Sequence, residues 1–426
     1  MGLRKQLEQA LLRIEQLEKE NQQLREENKQ FRRHLMAYEN AHTPSSKQRK
    51  NNTKPRDPNK LRFPGKPKNS NGGGIEIPPP DKIVEHTLDK DPIFGKLLGK
   101  PIGYRRRIII DFPDKPIQVI EHRIMQYISP TTGEIIEAPT DLSTGTYGKN
   151  LQSIVVLLKN LTNSHEKISD FLQELGAPSF STAQVQKIAD KFADKLELQR
   201  EKLLKQIRQE PRLHADETGF RKDGKNGYIW GIFTNTIAIF SAQMSRARKN
   251  IQTLLPNYIG VVVSDGYNAY DEFLYRQRCW AHLLREFREY AEENEEISTQ
   301  HKRIKLLYEQ LKKLKIKLPN KKKIAKVKWQ LQDIVTCLKT IKTAKGLVTL
   351  IENGGNDWFT ALYYKDVPLE NNLAERELRP VVLLRKVIGC YRNEKGKRWI
   401  DIVLSVLHTW KLQGKNLFQQ LNKVSS

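Results

Sequence analysis

The sequence predicts a mixed α/β protein in which the core domain follows several smaller segments. Three observations support this prediction: short apolar runs between residues 213 and 263, helical periodicity on both sides of them, and a heptad repeat near the amino terminus. We therefore expect an α/β core with a helical insertion, preceded by an N-terminal coiled coil, a small β-rich module and a helical region.

The composition limits the classes of partner and compartment. The chain has 426 residues, with 74 Lys and Arg against 49 Asp and Glu, and its net charge of +25 favours a polyanion such as nucleic acid or an anionic membrane. We expect no membrane partner, because no apolar run is long enough to span a bilayer and the amino terminus lacks an apolar signal core. We expect a cytoplasmic protein. Its three cysteines are too scattered for a disulfide framework or a four-thiolate zinc site.

The first segment, residues 2–40, has the pattern of a coiled coil. Apolar residues recur in alternating steps of four and three, and Asn21 and Asn28 fall at equivalent positions of the seam. Buried asparagines at such positions fix the register of two-stranded coils, so we predict a dimerising helix. The alternative is an amphipathic helix that packs on its own chain.

The next two segments differ in composition. Residues 41–80 are rich in proline, glycine and basic side chains, which predicts a flexible linker able to contact phosphates. Residues 81–146 contain alternating apolar positions between 102 and 139 and a turn at 130–133, which predict a small β-rich module. Its candidate contacts to nucleic acid are three consecutive cations, Arg105, Arg106 and Arg107.

Residues 147–205 are predicted to be helical. Residues 150–159 and 165–175 have helical periodicity, and Ser181 is suited to cap a third helix that runs to about Leu196. Two helices joined by a short turn are typical of DNA-reading units, but an ordinary helical hairpin fits the pattern equally well.

Two carboxylates follow apolar runs of the core. Runs at 213–215, 228–234, 237–242 and 260–263 predict strands, and Asp216 and Asp265 come at or near the ends of the first and the last. Neighbouring strand ends can bring such carboxylates within reach of one cation. A third acid is available in residues 368–380, a predicted helix start. Each aspartate alone is more typical of a loop or a helix cap.

Four motifs in this order carry a family resemblance. They are His214-Ala215-Asp216-Glu217-Thr218, Val263-Ser264-Asp265-Gly266-Tyr267-Asn268-Ala269-Tyr270-Asp271, Cys279-Trp280-Ala281-His282-Leu283-Leu284-Arg285, and Asn371-Asn372-Leu373-Ala374-Glu375-Arg376. With the segment Tyr147-Gly148-Lys149-Asn150-Leu151-Gln152 and the amino-terminal heptads, they make nearly the whole chain resemble the insertion sequence 66 transposase family.

The resemblance implies a ribonuclease H-like catalytic core, formed by residues 206–290 and 365–415. It further implies that Asp216, Asp265 and Glu375 bind two catalytic ions of Mg²⁺ or Mn²⁺. The family pattern puts the third carboxylate on the Ala-Glu-Arg step, which is Glu375 here. Other nearby acids could replace a ligand in principle: Glu217, Asp271, Glu370 and Glu377.

Several polar residues around these motifs are candidates for supporting roles. Cys279 and His282 are three residues apart, and we favour packing and support of the active site or the DNA backbone over a zinc site, for which two further ligands are not evident. We expect no zinc. The predicted DNA contacts near the acids are His282, Arg285, Arg376, Arg379, Arg385 and Lys386. A solvated helix face is the alternative for the last four.

Residues 291–364 are predicted to be a basic helical insertion. The 110 residues between Asp265 and Glu375 exceed what a plain core of this kind needs, and residues 302–345 are helical in pattern and rich in lysine. We expect Lys321, Lys322 and Lys323 to contact the DNA backbone without reading its sequence. A solvated helical hairpin is the alternative. Relatives with a cysteine-based zinc module before the core differ from this chain, since residues 75–146 lack cysteine.

The predicted function is that of a bacterial insertion-sequence transposase that nicks the ends of its element and joins them to target DNA. The partners expected are the terminal repeats, the target DNA, a second copy of the chain or a higher assembly, and companion proteins of the same element. A nucleoid-associated cytoplasmic location follows from this function. The alternatives are an inactive DNA-binding relic that acts as a regulator and an architectural protein that binds DNA by charge alone.

Overall fold

A computed structural model describes residues 146–425 without a gap and shorter stretches before them. These stretches are residues 13–14, 16–24, 26–28, 79–80, 82–85, 110, 112–131 and 134–139. The chain divides into two compact units, residues 1–119 and 120–426. Residues 13–28 are helical and exposed wherever they are described. Most of the predicted coiled coil and linker, and the cations Arg105, Arg106 and Arg107, lie outside the described residues.

A small hairpin stands where the β-rich module was expected. Strands β1 (Gln126–Ile128) and β2 (Ile135–Glu137) pair antiparallel, with Tyr127 opposite Ile136. Every residue of both strands is exposed, and the described residues 112–125 contain no strand. The hairpin is therefore held mainly by its backbone pairing, because two three-residue strands bury too little surface to form a core of their own.

Three helices precede the sheet: α1 (Lys149–Asn160), α2 (His165–Glu174) and α3 (Thr182–Ile207). The Ser164 and Ser181 side chains accept backbone hydrogen bonds at the starts of α2 and α3. Helix α3 continues well beyond Leu196, where the sequence pattern predicted its end. Its last two turns still bury Leu203 and Ile207 against the rest of the molecule, so tertiary packing extends the helix.

The central sheet follows these helices. Its strands and the short elements between them are β3 (Arg212–Gly219), β4 (Arg221–Lys222), β5 (Tyr228–Phe233), β6 (Ala238–Gln243), α4 (Arg248–Leu254), β7 (Val261–Ser264), a 3₁₀ turn (Asn268–Tyr270) and β8 (Tyr275–Arg278). Five strands pair in the order β6, β5, β3, β7, β8. The pairs of β3 with β5 and of β5 with β6 are antiparallel, whereas β3 with β7 and β7 with β8 are parallel.

The remaining chain is mostly helical. Its elements are α5 (Trp280–Glu293), α6 (Glu295–Ile316), α7 (Lys321–Lys339), a 3₁₀ turn (Lys342–Ala344), α8 (Lys345–Gly354), two further 3₁₀ turns (Gly355–Trp358 and Thr360–Leu362), α9 (Asn372–Ile388), β9 (Cys390–Tyr391), α10 (Glu394–Arg398), a π-helical segment (Trp399–Leu404), α11 (Ser405–Leu412) and α12 (Leu417–Ser425). Strand β9 pairs parallel with β4. The mixed sheet and these helices confirm the predicted α/β class.

Helices close the outer edge of the sheet. Strand β6 is an edge strand, and the backbone N–H groups of Ala242, Phe240 and Ala238 donate to side chains of the π-helical segment and α11. The acceptors are Asp401 Oδ1 at 2.6 Å, Ser405 Oγ at 2.9 Å and Thr409 Oγ1 at 3.0 Å. Because the acceptors are spaced four residues apart, one helix face pairs with alternate N–H groups of the strand.

The helical insertion, residues 291–364, shares a hydrophobic core with the sheet. Trp280 at the start of α5 is fully buried, and its ring packs against Trp358 and Phe359. The same cluster of buried residues includes Val261 and Val263 of β7 and apolar side chains of α6, α7 and α8. The insertion is thus packed on the core. None of the described helices is both long and apolar enough to cross a membrane.

Candidate active site

Two aspartates lie on neighbouring parallel strands. Asp216 is in β3, and Asp265 directly follows the last residue of β7. The sequence pattern predicted that β3 ends before Asp216, but the strand continues to Gly219 because it also pairs with β5. Its pairing with β7 stops at His214. Beyond that point no described strand pairs with β3 on this side, and the carboxylates of Asp216 and Asp265 meet at this opening.

A third carboxylate, Glu217, belongs to the same cluster. One carboxylate oxygen each of Asp216, Glu217 and Asp265 lie within 4.8 Å of one another. Burial, followed by the charges of Asp265 and Glu217, raises the pKa of Asp216 to about 8. Each aspartate accepts one backbone hydrogen bond, Asp216 from Glu217 N and Asp265 from Tyr267 N, both at 2.9 Å. The cluster brings three carboxylates together, and among the described residues only Glu217 is ion-paired; a divalent cation site has such an excess of negative charge before the ion binds.

Glu217 differs from the two aspartates because its charge has partners. Arg246 Nε donates to Glu217 Oε1 at 2.7 Å, and Tyr270 Oη donates to Glu217 Oε2 at 2.5 Å. Burial raises the pKa of Glu217, while these hydrogen bonds favour its ionised form. The Arg246 guanidinium also lies over the ring of Tyr267, 3.7 Å from its centroid. Glu217 is therefore held in place by Arg246 and Tyr270, and Tyr267 in turn packs against Arg246.

Glu375 stands in the first turn of α9, beside the start of α5. Its Oε1 atom is 3.6 Å from His282 Nε2 and 3.9 Å from Arg285 Nη2. Within the described part of the chain, this buried oxygen has no hydrogen-bond partner. Glu375 is close enough to Asp216 for its charge to contribute to the raised pKa of that aspartate. The three acids predicted from the sequence are thus brought into one region.

Cys279, His282 and Glu375 form a second group of possible ligands. A ligand atom from each lies within 4.8 Å of the others. The Cys279 sulfur accepts a hydrogen bond from Asn371 N at 3.2 Å, and burial raises the pKa of its thiol. Glu375 is remote from Cys279 and His282 in the sequence and reaches them only through α9, so no local pattern indicates it as a further ligand of this pair.

Asn371 connects β3, which contains Asp216, to the start of α9, which contains Glu375. Its side chain is fully buried; its Oδ1 atom is 2.9 Å from His214 Nδ1, and its Nδ2 donates to Ala215 O at 2.9 Å. The partners are the two residues that precede Asp216, whereas Asn371 precedes α9 and therefore Glu375. This amide sets the position of the Glu375 helix against β3. The repeated asparagine before Leu373-Ala374-Glu375 was the only sequence signal for this role.

The other acids considered as ligands have partners elsewhere. Asp271 pairs with the buried Arg276, and Glu370 accepts a hydrogen bond from the Asn372 side chain. Glu377 is buried on another side of α9, and its Oε2 atom is 2.6 Å from His408 Nε2. Among the described residues, these three acids belong to neither group of possible metal ligands.

The candidate DNA contacts fall into distinct environments. Arg376, Arg379 and Lys386 are exposed along α9, as are Lys321, Lys322 and Lys323 at the start of α7. Arg385 is half-buried and donates to Thr218 Oγ1 at 3.3 Å, and also to Gly219 O. It therefore joins α9 to β3 in addition to any contact with DNA.

A cavity of about 550 Å³ lies away from the carboxylates. Its lining includes Arg212, Val261 and Tyr275, which are the first residues of β3, β7 and β8. The carboxylates are at the other ends of β3 and β7. They lie beside exposed cations rather than in this cavity, an arrangement suited to a large polyanionic substrate.

The comparison with known families agrees with this arrangement. The sequence profile described as the transposase IS66 family matches residues 144–398 of the chain. The match begins just before α1, includes all three acids and the whole insertion, and ends at α10. No curated protein matches the chain.

Proposed function

The chain belongs to the transposase IS66 family, and on this basis we propose that it cuts and joins DNA at a site formed by Asp216, Asp265 and Glu375. The observation that carries the proposal is the convergence of these acids from β3, from the end of β7 and from α9. The ribonuclease H-like core implied by the family resemblance is part of the proposal, and the five-stranded mixed sheet supports it.

The residues present fit divalent metal ions. Asp216 and Asp265 supply clustered carboxylate oxygens, and Glu375 supplies a buried oxygen that lacks a hydrogen-bond partner among the described residues. Hard cations such as Mg²⁺ prefer such ligands. When bound, these ions would activate the attacking oxygen and stabilise the leaving oxygen of a phosphodiester. We propose that two such ions, Mg²⁺ or Mn²⁺, bind here.

The neighbouring side chains would position the acids and the DNA. Arg246 and Tyr270 hold the Glu217 carboxylate, whereas Asp216 and Asp265 form no ion pair with a cationic side chain in the described part of the chain. Near Glu375, Arg285 offers positive charge, and both Arg285 and His282 offer hydrogen-bond donors to the substrate phosphate. The exposed cations of α9 would contact the flanking backbone.

The proposed reaction has two steps, and in each an oxygen nucleophile attacks a phosphodiester. Water attacks a phosphorus atom at the element end, and the 3′ oxygen leaves as a free hydroxyl. This hydroxyl then attacks a target phosphodiester and displaces another 3′ oxygen, so no covalent bond to the protein is needed. Two ends must be handled together, and the proposed coiled coil would supply a dimer.

The test is cleavage and strand transfer with a labelled duplex that carries the ends of the source element, in Mg²⁺ or Mn²⁺, with companion proteins of the element included. Wild type is compared with Asp216→Asn, Asp265→Asn and Glu375→Gln, and DNA binding is measured in parallel. Glu370→Gln is the matched control, because this acid is five residues from Glu375 but bonds only Asn372 among the described residues.

The proposal predicts metal-dependent cleavage that is lost in the three variants, with binding retained, and kept in Glu370→Gln. Wild-type protein that binds the ends but never cuts would identify an inactive regulator instead. Cleavage that survives Glu375→Gln and is lost in Glu217→Gln would show that the third ligand is Glu217.

A further inference from the structure

One tryptophan has an environment unlike the others. The sequence contains six tryptophans, of which Trp230, Trp280, Trp358, Trp399 and Trp410 are each at most 4% exposed. The sixth, Trp329, is 67% exposed, in the middle of α7. Scattered exposed aliphatic side chains are ordinary, but an indole that packs so little against its own protein leaves a large flat apolar surface in contact with water.

A second exposed apolar residue lies on the same face of the insertion. Helices α6 and α7 form a hairpin, and Arg303 of α6 pairs with Asp333 of α7 across one face of it. Leu306, which is 71% exposed, follows Arg303 by three residues, and Trp329 precedes Asp333 by four. Residues three and four apart share a helix face. Leu306 and Trp329 therefore lie toward the same side of the hairpin, each about one turn nearer its tip than the ion pair.

The surroundings of this apolar pair are strongly basic. Lys326 and Lys322 are exposed and precede Trp329 by three and seven residues, so they continue its face of α7. The 19 residues of α7 include six lysines and a single acid, Asp333, whose charge is paired with Arg303. A partner of this face must carry negative charge beside a flat apolar group, and nucleic acid has both.

We propose that Trp329 stacks on a base of bound DNA while the lysines of α7 contact the neighbouring phosphates. The proposal rests on the proposed function, because it assumes that the chain binds DNA, and it adds a base contact to a surface otherwise expected to touch only the backbone. Aromatic stacking needs an accessible base face, so the ligand class is DNA with unpaired bases, such as a single strand or a frayed end.

Quenching of tryptophan fluorescence distinguishes the exposed Trp329 from the buried tryptophans. The full-length protein is titrated with a 20-nucleotide oligodeoxythymidine, and the emission is quenched with acrylamide before and after binding. We expect free protein to contain one readily quenched tryptophan, and bound DNA to remove that accessible component. Trp329→Ala should lack the component from the start. Because the side chain is mostly exposed, this variant should melt like wild type.

Affinity measurements complete the test. Trp329→Ala should bind the oligonucleotide roughly ten-fold more weakly at fixed salt, with an unchanged dependence of affinity on salt, and Trp329→Phe should recover part of the loss. Lys322→Gln with Lys326→Gln is the charge control, and it should lower both the affinity and the salt dependence. A fully paired, closed hairpin duplex should protect Trp329 less than the single strand.

Three outcomes would overturn the inference. The first is DNA binding that leaves Trp329 as accessible to acrylamide as before, or wild-type affinity in Trp329→Ala. The second is equal protection by polyglutamate, which would identify an acidic protein as the partner of this face. The third is the absence of any DNA binding, which would refute the proposed function as well, whereas the first two leave that function intact.

Discussion

Replacement of Asn371 by alanine tests how the active site is assembled. The substitution removes the side-chain hydrogen bonds to His214 Nδ1 and Ala215 O, each 2.9 Å long, and leaves both buried groups without this partner. Such losses cost about 1–2 kcal/mol each, so we expect the free energy of unfolding to fall by about 3 kcal/mol. For a domain of this size the melting temperature should drop by about 6 °C.

The catalytic effect of Asn371→Ala should exceed its effect on stability. The amide fixes the start of α9 against β3, and a shift of about 1 Å in Glu375 should slow cleavage about 100-fold. The assay is single-turnover cleavage of a prenicked or frayed element end, well below the melting temperature, with DNA binding measured in parallel. Asn372→Ala is the control, because Asn372 is the exposed neighbour and bonds only Glu370 among the described residues. If both variants cut at the wild-type rate, Asn371 does not position Glu375.

Three further predictions concern stability. Burial lowers the pKa of Lys159 to about 8. Between pH 8 and about 10.5 the unfolded chain therefore binds more protons than the folded protein, and the free energy of unfolding rises with pH across that window. Lys159→Met should raise the free energy of unfolding by up to about 3 kcal/mol at pH 7, and by less at pH 10. Urea unfolding at pH 7 and pH 10 checks this, and an advantage equal at both values would contradict it. Thr409→Val removes the acceptor of the buried Ala238 N–H, a 3.0 Å hydrogen bond at the sheet edge, and should cost about 2 kcal/mol in the same assay; an unchanged midpoint would show that another group replaces the hydroxyl. In Gly231→Ala the new Cβ would clash with the ring of Phe233 and lie 3.0 Å from Leu378 Cδ2 of α9, so we expect a loss of about 1–3 kcal/mol in the same assay. Wild-type melting would show that the Phe233 ring can move without cost.

In the five-stranded sheet, the sequence predicted the four apolar strands and missed the polar one. The runs that became β3, β5, β6 and β7 are buried by ordinary apolar packing, which periodicity detects. Strand β8 contains Arg276, Gln277 and Arg278, all at most 2% exposed. Arg276 is accommodated there because Asp357 accepts from its Nε at 2.9 Å and Asp271 also pairs with it. A buried polar strand depends on such partners, and these are unknown until the fold is known.

The acids of the candidate site could be predicted from the sequence, but the side chains that position them could not. Asp216 and Asp265 follow apolar runs, and the family motif indicated Glu375. The hydrogen bond between His214 and Asn371 joins residues 157 positions apart, so no local pattern could reveal it. Glu217 was one of four rival acids, and its attachment to Arg246 and Tyr270 also arises only from the tertiary fold. Sequence patterns indicate which faces of a helix or strand are buried, whereas the positions of these side chains depend on partners far away in the sequence.

The insertion also delays the completion of the candidate site during synthesis of the chain. Ribosomes add residues in order, and Glu375 is added 110 residues after Asp265, which at ordinary rates of synthesis is about 5–20 s later. Until α9 has emerged and Asn371 has reached β3, a growing chain has its two aspartates without the third acid. A nascent or truncated chain that already holds DNA through its basic segments should therefore be unable to cut it.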